Sequence, residues 1–131
     1  MNCSRHYTIL VIEDDMAMLT KYLLELEASG YKVCGTHSAE DGLLMVESRK
    51  FDAILTDNVL PGISGLQSIR EYAKYSDAPV LIMTSDYSAE IATDARLLGA
   101  ACCLEKPLDY PRLKSELQRA IAQAGSPLHG R

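Results

Sequence analysis

Five side chains have the types and positions to share one piece of chemistry. Glu13 and Asp14 follow the run Tyr7 to Ile12, Asp57 follows Ala53 to Thr56, Thr84 follows Val80 to Met83, and Lys106 follows Ala100 to Leu104. Each run is short, apolar and bounded by polar or turn residues, the pattern of a buried strand. In an open α/β sheet, ligands collect beyond the carboxyl ends of the strands, so these exits are site candidates before any motif is invoked. Three carboxylates brought into one small volume repel and raise one another's pKa unless a cation joins them. A cluster offering only oxygen suits Mg²⁺ better than a metal that wants nitrogen or sulfur. Thr84 adds a hydroxyl donor and Lys106 a mobile point charge. A metal, a carboxylate nucleophile, a hydroxyl and an ammonium together make a site for transferring an anionic group. Taken alone, Asp57 reads as a turn starter and Lys106 as a solvated lysine; their shared position at strand exits favours the site. Asp15 reads as a helix N-cap and stays outside it.

The elements that must position these residues alternate along the chain. The first strand exits into Glu13 to Asp15, and a helix follows from Met16 with Leu19, Leu23 and Leu26 on one face and Gly30 as its left-handed stop. Tyr31 to Gly35 predicts the second strand. Ser38 and Asp41 resemble a capping box before a helix that carries Leu43 and Val46 to about Lys50. After Asp57, Pro61, Gly62 and Gly65 turn the chain before a helix with Leu66, Ile69 and Ala73 on its apolar face. The fourth helix carries Ile91, Ala95 and Leu98 and closes at Gly99. Asp109 caps the fifth, with Pro111 in its first turn and Leu113, Leu117 and Ile121 as its buried stripe. Five strands alternating with five helices predict a flavodoxin-like α/β fold, doubly wound, with a parallel sheet in the order 2-1-3-4-5. That order sets the first and third strands, and hence Glu13, Asp14 and Asp57, side by side.

At 131 residues the chain fits one domain and can bury a core without staples. A formal charge of −5 argues against nucleic acid or an anionic membrane as a partner, and no apolar run approaches a bilayer span. The N-terminus lacks a signal-peptide core, so the expected compartment is the cytoplasm. Cys3, Cys34, Cys102 and Cys103 have no metal-binding spacing and read as reduced apolar residues, the last two on opposite faces of a strand; His6, His37 and His129 are scattered. Met16, Met18 and Met83 read as packing. The expected organisation is one unit over residues 1–124, with 125–131 a flexible tail or the start of a linker.

The acidic pair in VIEDD, the stretch TDNVLPGISG, the exit MTS and the segment GAACCLEKP occur in the order, and at the strand ends, that resemble a receiver domain of bacterial two-component response regulators. The resemblance runs from about Tyr7 to Ala124. It implies that Asp57 accepts a phosphoryl group, that Glu13, Asp14 and Asp57 bind Mg²⁺ together with the backbone carbonyl of Val59, and that Thr84 and Lys106 hold phosphoryl oxygens. It also implies a cis peptide bond before Pro107, a histidine kinase or phosphotransfer protein as donor, and a downstream protein or output domain as recipient. A phosphorylation-dependent dimer is one assembly it allows. Such a domain is no enzyme toward other substrates and catalyses only its own phosphorylation and dephosphorylation. The sequence departs from the family at Cys103, where the resemblance leads one to expect the Tyr or Phe of a conformational switch, and at Ser85, where a smaller residue is usual.

Two other functions compete. A Mg-dependent aspartate-nucleophile phosphohydrolase resembles a pattern with nucleophile and partner acid both on the first strand, whereas Asp57 follows the third. A flavodoxin-like flavin carrier needs a phosphate loop after the first strand, where Glu13 and Asp14 would repel the phosphate.

Overall fold

The computed structural model describes residues 6–125. Cys3, His129 and nearly all of the expected tail therefore lie outside the described residues. The elements run β1 (Thr8–Ile12), α1 (Met16–Ala28), β2 (Lys32–Thr36), α2 (Ala39–Ser48), β3 (Ala53–Asp57), α3 (Gly65–Ala73), β4 (Val80–Thr84), α4 (Ala89–Leu98), β5 (Cys102–Glu105) and α5 (Tyr110–Ala124). All the strand pairings are parallel and the order is β2-β1-β3-β4-β5, as the alternation predicts.

Successive strand residues point to opposite faces, and the burial follows that period. Ile9, Val11, Leu55, Leu81, Met83 and Leu104 pack with α1 and α5, while Leu10, Ile12, Ile54, Ile82 and Cys103 pack with α2, α3 and α4. Strands covered on both faces need no polar alternation, which is why β3 and β4 are buried along their whole length. Cys102 and Cys103 do fall on opposite faces.

Helix ends follow local chemistry. Asp15, Ser38, Ser64, Ser88 and Asp109 cap the five helices, each accepting a backbone N–H three residues on. The reciprocal capping box forms at Ser64 and Gln67. Gly99 ends α4 in the left-handed region at φ 109°, open to glycine without a Cβ penalty.

Several expected boundaries move. β2 begins at Lys32 rather than Tyr31, because the Tyr31 N–H returns to Leu26 O in the turn closing α1. β5 begins at Cys102 rather than Ala100, because the Ala100 N–H is used by Ala95 O at the end of α4. α2 stops at Ser48, where Arg49 is already extended at φ −139°. In α3 the buried aromatic is Tyr72, whose hydroxyl donates to Ala39 O, and Ala73 is exposed. Met16 is exposed at the start of α1 rather than packed. No helix among the described residues is long and apolar enough to cross a membrane.

Candidate functional site

Residue alternation places three site groups on one side of the sheet. Carrying the period of β1, β3 and β5 outward through Val11, Leu55 and Leu104 puts Glu13, Asp57 and Lys106 on the face covered by α1 and α5. They meet there. Lys106 Nζ lies 2.8 Å from Glu13 Oε1 and 3.1 Å from Asp57 Oδ2. The other oxygen of each acid is held by backbone: Asp15 N–H donates to Glu13 Oε2 at 3.1 Å, and Val59 N–H donates to Asp57 Oδ1 at 3.3 Å. Asp14 completes the group, with carboxylate oxygens of Glu13, Asp14 and Asp57 all within 4.8 Å of one another.

Burial differs among these groups. Glu13 is 2% exposed and Asp57 6%, whereas Asp14 is exposed. Burial pushes the Glu13 carboxyl above the usual range, opposed by its hydrogen bond from Lys106. Burial works against the charge on Lys106, but the hydrogen bond to Glu13 and the charge of Asp57 outweigh it, so its pKa rises. The repulsion expected among the three acids is met in part within the protein. Lys106 meets it, through a bridge between the exits of β5, β3 and β1.

Thr84 sits on the opposite side of the alternation, with Ile82 and Cys103, and is fully buried. Its Oγ1 accepts the Asp86 N–H at 3.0 Å, which anchors the loop leaving β4. Val59 carries an exposed side chain in the loop after β3 and reaches the acids through its backbone N–H. The Lys106–Pro107 peptide bond is cis.

The loop bearing Asp57 is fixed from behind. Asn58 N–H donates to Met83 O, its carbonyl accepts Gly65 N–H, and its side-chain Oδ1 accepts Leu66 N–H. Glu40 of α2 accepts Ile63 N–H. A Cβ at Gly65 would lie 2.5 Å from Asp57 O, so only glycine permits this approach of α3 to the acid. Sequence reasoning missed Asn58, Glu40 and Tyr22. The first two act through contacts that spacing does not encode, while Tyr22 was visible as the residue three after Leu19 and four before Leu26.

The donor set fits a hard cation: carboxylate oxygens alone, one of them exposed. A groove of about 690 Å³ lies elsewhere, among Arg49, Lys50, Phe51, Lys74 and Pro79 at the amino ends of the strands. The carboxylate cluster lies at the opposite, carboxyl ends of the strands, where ligands of open parallel sheets collect.

Comparison with known proteins identifies the family. Residues 9–118 match the model of the response regulator receiver domain. The transcriptional regulatory protein ZraR of Salmonella typhimurium is 36% identical over 115 residues, 87% of this chain but 26% of that protein. A response regulator receiver domain protein from Clostridium thermocellum superposes with a TM-score of 0.83 at 30% identity, covering 89% of this chain and 95% of that one. Full-length FixJ from B. japonicum gives 0.84 at 33% identity, covering 93% of this chain and 60% of that one. The chain thus spans about a quarter of the length of the first curated relatives it matches. Five parallel strands in this order, an acid cluster at their exits and a family match over most of the sequence lead to one conclusion: the chain belongs to the response regulator receiver domain family.

Proposed function

We propose that this domain is switched by transfer of a phosphoryl group to Asp57 from a phosphohistidine on a histidine kinase or phosphotransfer protein, and that the state passes to a downstream protein or output domain. The observation that carries this reading is the posture of Asp57. It is nearly buried, its Oδ1 is held by the Val59 N–H and its Oδ2 by Lys106, and it lies within one cluster with Glu13 and Asp14.

In this reading an Asp57 oxygen attacks phosphorus as the bond to the donor's histidine nitrogen breaks, and the imidazole leaves. The new acyl phosphate carries charge beside two acids, so positioning and charge stabilisation matter more than covalent assistance. Lys106 is already hydrogen bonded to Asp57 and moves its donors onto phosphoryl oxygens. The Thr84 hydroxyl leaves the Asp86 N–H and donates to the same group. Glu13, Asp14, Asp57 and the carbonyl of Val59 would hold Mg²⁺, which when bound offsets the repulsion between the incoming phosphoryl group and the acids. Water later cleaves the acyl phosphate and returns Asp57 to its carboxylate, so the domain's catalysis is confined to its own modification.

The unit in this reading is residues 1–124, with 125–131 a tail or linker, in a cytoplasmic setting. The test is incubation with Mg²⁺ and acetyl phosphate followed by intact mass. One added phosphoryl group supports the reading; turnover of a chromogenic phosphomonoester without a stable adduct would indicate a phosphohydrolase, and bound yellow flavin a carrier.

A further inference from the structure

Lys106 stands over a third group besides its two acids. Tyr22, from α1, is fully buried on the face of the sheet that carries Glu13, Asp57 and Lys106. The Lys106 ammonium stands 6.0 Å from the centre of its ring, at the outer edge of cation–π reach. The Tyr22 hydroxyl is buried and has no hydrogen-bond partner among the described residues. Burial also pushes this phenol up to about 12, so it stays neutral beside the lysine. The approach of Lys106 to Tyr22 is to the ring face, so the ring is the group that acts on the lysine.

We propose that Tyr22 is a positioning residue for Lys106: its ring is a platform on which the ammonium rests and from which it is delivered to the anionic group formed on Asp57. The inference rests on the reading of Asp57 as acceptor. A lysine is a compact charge on a flexible stem, and once its hydrogen bond to Asp57 is given up for a phosphoryl oxygen it has alternatives in solvent. Attraction to a ring face has little directional demand. The ammonium can therefore slide from carboxylate to phosphoryl oxygen while the ring keeps it beneath the site. Hydrogen bonds alone would fix it to one partner at a time.

The test compares wild type, Tyr22→Phe and Tyr22→Leu as full chains with Mg²⁺ and acetyl phosphate, alongside ¹³C-edited NMR of the Lys106 ε-methylene. Wild type and Tyr22→Phe should show ring-current displacement of the ε-methylene protons and phosphorylate at rates within about twofold of each other, since the ring face is common to both. Tyr22→Leu should lose the displacement and slow phosphorylation by about fivefold to tenfold, the factor that a contact of this class supports. Wild-type speed in Tyr22→Leu overturns the proposal, as does a Tyr22→Phe as slow as Tyr22→Leu. Should Tyr22→Leu fail to fold, an undisplaced ε-methylene in wild type and Tyr22→Phe overturns it equally. If the wild type accepts no phosphoryl group, the Asp57 reading fails, while the NMR displacement still decides whether Tyr22 holds Lys106.

Discussion

Lys106 Nζ and Glu13 Oε1 stand 2.8 Å apart although 93 residues separate them in the chain. This pair closes the site from the β5 side and ties up one oxygen of an acid that a cation would use. In the proposed reading, lysine and metal would therefore compete for Glu13 while acting together on an anion.

Replacing Lys106 by Ala should consequently tighten Mg²⁺ binding while impairing the response to phosphorylation. Removing a unit like charge about 4 Å from a doubly charged metal is worth about 2 kcal/mol in water-like surroundings, roughly a thirtyfold lower Kd. Calorimetric titration of wild type and Lys106→Ala checks this. Unchanged or weaker binding in the variant would show that the lysine does not oppose the metal.

Mg²⁺ should raise the melting temperature of the wild type, because it binds the folded acid cluster and not the dispersed carboxylates of the unfolded chain. At one hundred times its Kd the gain is about 2.7 kcal/mol. Asp14→Ala should abolish most of that gain, since Asp14 is the exposed member of the cluster. A thermal melt with and without Mg²⁺ measures it, and a full metal response in Asp14→Ala would remove Asp14 from the ligand set.

Gly65→Ala should destabilise the domain by about 1–3 kcal/mol, the range for forcing an extra carbon into a packed site. The added Cβ would meet Asp57 O at 2.5 Å and Asn58 Cα at 2.9 Å, both backbone atoms that cannot swing aside. Denaturant unfolding gives the loss of stability, and a slower phosphorylation rate should accompany it. A variant as stable as wild type would mean that α3 shifts bodily without cost.

The strand order and the polar residues at the strand exits were legible because both rest on local pattern: short apolar runs, helical spacing between them, and turn residues after each. The Lys106–Glu13 pair was not, since a contact across 93 residues follows from topology and the reach of one side chain. Tyr22 shows a finer limit. Spacing gave the stripe as Leu19, Leu23 and Leu26, yet the fully buried middle residue is Tyr22, whose ring lies 6.0 Å from the Lys106 ammonium. The start of β5 was misplaced because Ala100 has strand-compatible size but spends its N–H on the end of α4.

Cys103 is buried against Ile82 and the α2–α4 side, and it has no ring to exchange between positions. A state is favoured only by what differs between the two, and a small thiol changes its buried area little. Beryllofluoride, with BeF₃⁻ standing in for the phosphoryl group, should therefore shift amide NMR signals near Asp57 and in the loop Thr84 to Tyr87 more than those around Cys103. Large changes confined to β5 and α5 would reveal another route of readout.

The central claim is that Asp57 receives the phosphoryl group, and chemical trapping tests it most directly. Protein treated with acetyl phosphate and Mg²⁺ is reduced with borohydride, which converts an aspartyl phosphate to homoserine, and is then mapped by peptide mass spectrometry. Homoserine at position 57 and nowhere else, absent in Asp57→Asn, is the predicted result. Homoserine at Asp14 or Glu13-derived product in place of it, or no reduced residue in protein whose mass shows a stable adduct, would contradict the account.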